Sequence, residues 1–209
     1  MANRGSKGGL SEAVADAVVV LDAAGYDVIL IETVGVGQAE VAIAHQADAV
    51  VLVLTPNSGD LIQAMKAGIM EIADVYAINK ADLGGADTLQ RDIQSALTWR
   101  KEHRSGAAPQ VLTLTAARSE GIDAVAGALA VVFERLEEGG LLRQRRRVRA
   151  AEQVGALVQK AILARYQAEL NHDDSETQRQ IERVDRREIS PYGAAELVLE
   201  RYTSGRRGN

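Results

Sequence analysis

Apolar residues in this chain follow two rhythms. Four short continuous runs rich in β-branched residues, Val28 to Thr33, Ala49 to Leu54, Val75 to Ile78 and Val111 to Thr115, predict buried strands of a parallel sheet, because a strand covered on both faces has no polar side to alternate with. Between them, apolar residues recur at helical spacing over Ser11 to Ala24, Asp60 to Ala73, Thr88 to Arg104 and Ile122 to Glu137. Ser11 and Asp60 offer helix starts, and Gly25 a stop. Strands alternating with helices predict right-handed crossovers and an α/β fold, a mostly parallel sheet flanked by helices. Beyond about Gly140 the pattern is helical. Val154, Leu157, Val158, Ala161, Ile162, Tyr166 and Leu170 share one stripe, Asn171 to Glu176 reads as a loop, and a last helix starts near Ser190-Pro191. Two parts are therefore expected, residues 1–139 and a C-terminal helical extension over 140–209.

Composition narrows the chemistry. The 209 residues are 46% hydrophobic but only 3% aromatic, which favours helices around a modest core. A net charge of −5, from 24 basic and 29 acidic residues, argues against a nucleic-acid partner. With no cysteine there is neither a disulfide nor a thiolate metal site, and His45, His103 and His172 share no ligand spacing. No apolar run approaches the roughly 20 residues of a membrane span, and Met1 to Gly9 lacks a signal-peptide core, so a cytoplasmic protein with no membrane partner is expected. Five arginines within seven positions, Arg143 to Arg149, read as a solvated helix face before an anion-binding patch.

In a parallel sheet, ligands bind at the carboxyl ends of the strands, which singles out four loops. After the third predicted strand comes Asn79-Lys80-Ala81-Asp82. An ionised aspartate only accepts hydrogen bonds and can meet both donors on guanine's Watson–Crick edge, whereas adenine presents it with an acceptor. Asn79 can donate to N7, and the apolar stem of Lys80 can lie across the base. After the last strand, Thr115-Ala116-Ala117 occupies the place of the second half of such a pocket, with the Ala116 N–H directed to guanine O6. After the first, Glu32-Thr33-Val34-Gly35-Val36-Gly37-Gln38 suits phosphate and magnesium: Glu32 acting through a water, the glycine N–H groups on phosphate oxygens, and Gln38 on the attacking water. A dinucleotide fingerprint fails there because Glu40 stands where Gly or Ala is needed. The remaining loop runs from Thr55 into the helix carrying Asp60, Gln63 and Lys66. No Gly-Lys dipeptide occurs, so the phosphate-cradling loop of a nucleotide hydrolase is absent from this chain.

These segments resemble the MeaB/ArgK family of P-loop GTPases, whose members act as chaperones of methylmalonyl-CoA mutase, a cobalamin enzyme. The likeness rests on Arg4-Gly5-Ser6-Lys7-Gly8-Gly9-Leu10, on Ala24 through Gln38, on Gly59 to Asp74, and on Asn79, Lys80 and Asp82. It implies a G domain of the SIMIBI type, lacking its N-terminal P-loop portion, and a C-terminal homodimerisation arm. It further implies GTP or GDP and Mg2+ as ligands, Glu32, Gly35 and Gln38 in catalysis, and Asp60, Gln63 and Lys66 in a third switch that couples to the mutase or a related acyl-CoA isomerase. Pro56-Asn57-Ser58 and Ala67 depart from the family pattern, so that coupling can differ. A P-loop portion preceding Met1 is expected, with little GTP turnover by this chain alone. Two alternatives stay open: a degenerate, non-catalytic interaction module, and an ATP-using kinase tied to basic amino-acid transport.

Overall fold

The computed structural model describes residues 9–33, 41–42, 44–56, 59–98, 107–172 and 175–204. They form two compact units, 1–149 and 150–209. The first holds a parallel sheet of β1 (Val51–Leu54), β2 (Val75–Ile78) and β3 (Gln110–Thr113), in that spatial order, with Val51 opposite Val75 and Val75 opposite Gln110. Around it come α1 (Gly9–Ala23), α2 (Asp60–Ala67), α3 (Ala86–Thr98), α4 (Ile122–Glu138) and the first turns of α5 (Leu141–Leu170). The two-residue period of the strands sorts the core into two faces. Leu52, Leu54, Tyr76 and Ile78 pack with Ala64, Met70, Ile93 and Leu97 on one, while Val75 packs with Ala128, Val132, Leu136 and Leu142 on the other. The expected α/β class is the observed one.

Two expectations about elements are corrected, and a third lies partly outside the described residues. Residues 28–33 carry a strand's sequence but join no ladder. Val28 is 74% and Leu30 89% exposed, and among the described residues β1 pairs with β2 alone. An apolar run becomes a strand only where a neighbour satisfies its backbone groups, so composition could not decide this. The helix expected over Asp60 to Ala73 stops at Ala67, because Gly68 takes a left-handed conformation (φ 73°) and a single 3-10 turn, Ile69–Glu71, follows. The helix expected over Thr88 to Arg104 is seen from Ala86 to Thr98, and residues 99–106 lie outside those described.

The arginine run is the largest correction. Arg145, Arg146 and Arg149, on one side of the first turns of α5, meet Asp48, three residues before β1, and Asp74, immediately before β2. Arg145 grips Asp74 through both carboxylate oxygens, at 2.9 and 3.2 Å, and donates to the Asp48 carbonyl. Asp74 also accepts from the Val50 N–H at 3.0 Å. Arg146 and Arg149 share the Asp48 carboxylate at 2.6 and 2.7 Å. These three side chains join the start of α5 to the amino-terminal edge of the sheet, opposite the edge that carries the candidate site.

That arrangement makes a pH-dependent contribution to stability. Burial pushes the Asp48 carboxyl up, but hydrogen bonds and charge from Arg146 and Arg149 outweigh it and hold the group below the usual aspartate range. A folded pKa below the unfolded one gives stability that is complete above about pH 4 and disappears as pH falls through the folded value. The difference in urea midpoint between wild type and Asp48→Asn should therefore shrink as pH is lowered from about 5 to about 2. A gap that stays constant over that range would contradict this.

The second unit contains the rest of α5, α6 (Glu176–Asp185) and α7 (Pro191–Ser204). Helix α6 was not foreseen, although its start was written in the sequence: Ser175 accepts from the Gln178 N–H at 3.1 Å, and Ser-x-x-Gln is a capping-box pattern. Helix α7 starts at Pro191 as expected. Its neighbour Thr177, buried, donates to Glu169 at 2.6 Å. An apolar cleft of about 560 Å³ is lined by Ile162, Leu163, Tyr166, Ile181, Val198 and Tyr202 among others.

Candidate functional site

The carboxyl ends of all three strands meet at the tetrad. The Asn79 N–H continues the ladder to the Leu54 carbonyl (2.8 Å), and the Leu114 N–H donates to the Ile78 carbonyl (2.9 Å). The chain then leaves the sheet abruptly. Lys80 is left-handed (φ 58°, ψ 40°), a conformation that a residue with a Cβ adopts only when its surroundings impose it. Here the Asn79 side chain imposes it, its Oδ1 accepting the Lys80 N–H at 2.8 Å. A 3-10 turn, Ala81–Leu83, carries Asp82 outward.

The loop after β3 is built to meet it. Thr115 and Glu120 exchange backbone hydrogen bonds of 3.0 and 3.3 Å, closing a tight loop around a 3-10 turn, Ala116–Arg118. Gly121 (φ 81°) ends that loop, and a Cβ there would sit 2.6 Å from the Thr113 carbonyl oxygen. Gly121→Ala therefore combines a left-handed strain with a backbone clash and should cost about 1–3 kcal/mol in thermal or urea unfolding. An unchanged midpoint would show that the loop relaxes freely.

Three ties join the two loops. Ala81 N–H donates to the Leu114 carbonyl at 3.2 Å. Ala116 N–H donates to Asn79 Oδ1 at 3.1 Å. The Arg118 guanidinium stands 3.6 Å from Asp82 Oδ2. Two backbone N–H groups converge on the Asn79 oxygen, which identifies it as oxygen and leaves the amide NH2 as the free end of that side chain. The expectation that the Ala116 N–H faces a base is modified accordingly, since that donor already holds Asn79.

The other expected residues fall as follows. Thr115 is buried and Ala117 exposed. Glu32 is exposed on the unpaired segment. Gly35 and Gln38 lie outside the described residues. Asp60 opens α2, whose cap is the left-handed Gly59 without a side-chain bond, and Gln63 and Lys66 are exposed on that helix. The structure thus brings Asn79, Lys80, Asp82, Thr115, Ala116 and Ala117 together. Magnesium needs hard oxygen donors, and the Glu32 carboxylate is one. Among the described residues, however, no three Asp, Glu or His side chains gather into a metal cage. Arg118 was overlooked in the sequence; an arginine within the loop expected opposite an aspartate was the available signal.

The sequence from residue 1 to 171 matches the family model described as methylmalonyl Co-A mutase-associated GTPase MeaB. A Pyrococcus abyssi protein named as a GTPase is 42% identical over 210 residues, covering 98% of this chain and 63% of its own length. A GTPase-named protein of Mycobacterium tuberculosis (strain H37Rv) is 35% identical over 200 residues, 94% of this chain and 59% of its own. The mouse protein named methylmalonic aciduria type A homolog, mitochondrial, is 31% identical over 207 residues, 96% of this chain and 49% of its own. The chain thus spans less than two thirds of the length of these relatives.

Proposed function

Because the chain belongs to the methylmalonyl Co-A mutase-associated GTPase MeaB family, we propose that residues 79–82 and 115–118 form the guanine pocket of a GTP-hydrolysing protein that serves a cobalamin-dependent acyl-CoA mutase as its chaperone. The observation that carries this reading is the cross-loop bond from Ala116 to Asn79, which holds the amide oxygen on the protein and leaves its NH2 for a base, three residues from Asp82 in the chain. Asn79 then donates to N7 of the base, Asp82 accepts its two edge donors, and the Lys80 stem covers a face. Adenine offers the aspartate an acceptor and is rejected.

In the complete protein, water attacks the γ-phosphate and catalysis comes from positioning and charge stabilisation. Gly35 approaches the phosphate through its backbone and Gln38 orients the water. Glu32 is the residue suited to hold Mg2+ through a water; the ion supplies charge neutralisation at the phosphates. Nucleotide state then sets the loop and helix bearing Asp60, Gln63 and Lys66, and through them the mutase. Residues 140–209 serve as a dimerisation arm, for which the apolar cleft and the exposed Val154, Leu157 and Val158 of α5 offer surface.

Backbone amide resonances of the chain should move at 79–82 and 115–118 when GDP is added, and stay in place with ADP. Equal responses to both would favour an ATP-using enzyme. No response to either would leave a non-catalytic interaction module.

A further inference from the structure

The geometry points to Arg118 as a positioning residue of the guanine pocket, holding the Asp82 carboxylate in the orientation that accepts the base; this rests on the guanine reading above. Asp82 stands on a 3-10 turn with no side-chain cap bond, and among the described residues Arg118 is its one side-chain partner. The aspartate is 28% exposed, so without that partner its χ1 and χ2 are free to wander. Two donors on guanine must both land on this carboxylate, so the orientation of its plane matters to affinity. The contact of Arg118 is to Oδ2, at 3.6 Å. An ionised carboxylate has about four lone-pair sites, which leaves Oδ1 and the rest of Oδ2 for the base. The arginine can therefore stay in place when the base enters, as a lateral support.

The side chain and backbone of Arg118 have separate tasks. Its N–H donates to the Thr115 carbonyl at 2.9 Å and helps close the 3-10 turn. Its guanidinium is 61% exposed and reaches across to the tetrad. Arg118→Ala removes the reach and keeps the backbone bonds, so the loop can hold its shape. The tie between Ala116 and Asn79 is likewise untouched.

The test measures GDP and XDP affinity for wild type, Arg118→Ala, Arg118→Lys, Asp82→Asn and the double variant Arg118→Ala/Asp82→Asn. Removing an exposed ion pair predicts about 2- to 5-fold weaker GDP binding for Arg118→Ala, with partial recovery in Arg118→Lys. In the Asp82→Asn background the same removal should leave XDP affinity unchanged, since the charge it served is gone. GDP affinity unaffected by Arg118→Ala, or an equal loss in both backgrounds, overturns the positioning role while the pocket stands. Absence of GDP binding in the wild-type chain overturns the pocket and this role with it.

Discussion

Asp74→Ala is expected to destabilise the first unit by about 3–5 kcal/mol, the usual cost of leaving one buried charge without its partner. The Asp74 side chain is fully buried and that of Arg145 is only 11% exposed. Removing the carboxylate takes away the opposite charge of the guanidinium, which keeps its bond to the Asp48 carbonyl, and also deprives the Val50 N–H of its acceptor. Attraction between the two charges does not by itself predict this size, because both lost their hydration on burial. A combined Asp74→Leu/Arg145→Met change removes both charges, and it should recover most of the lost stability. Urea unfolding followed by circular dichroism separates these cases. A single Asp74→Ala loss below about 1 kcal/mol would mean that water reaches Arg145 readily.

Asp82→Asn is expected to shift the GDP-to-XDP affinity ratio by about two orders of magnitude towards XDP. Guanine presents two N–H donors to the carboxylate. An asparagine amide can accept one of them, but its NH2 opposes the other. Xanthine carries a carbonyl in place of the exocyclic amine, and the same NH2 then finds an acceptor. The change exchanges one buried mismatch for another, which is why the effect appears as a ratio and not merely as weakened binding. Competition of the two nucleotides against a fluorescent analogue measures it. An unchanged ratio would remove Asp82 from the pocket and return the site to the ATP-using or interaction-module readings. Fold and stability should be little affected, since among the described residues the one side-chain tie of Asp82 is an ion pair at the surface.

Much of the architecture was legible in the chain. The run of β2 is apolar throughout because both its faces are covered, and β1 and β3 carry the same apolar signal although Val53 is exposed and β3 is only half-buried, so the signal survives without any knowledge of neighbours. Asn79, Lys80 and Asp82 could be read because their chemistry matches one base and their position follows a strand. Val28 to Thr33 carries the same signal and misled, since a strand also needs a partner edge, which is a property of another segment. Helix α6 was missed because a polar, ten-residue stretch holds only two large apolar residues, Ile181 and Val184, although Ser175 and Gln178 marked its start. Gly68 was read as interior to a helix, where only its left-handed backbone reveals a stop.

Local sequence determined the strands of the sheet, most of its helices and which side chains are candidates for reading a base, because periodicity and side-chain chemistry act over a few residues. Tertiary structure alone decided the contacts between distant segments: Ala116 on Asn79 across 37 positions, Arg118 on Asp82, and Arg145 on Asp74 across 71. Those pairings depend on which strand ends the fold brings together. A charge run such as Arg143 to Arg149 has the same composition whether it faces water or clamps two aspartates, and only the folded chain supplies the aspartates.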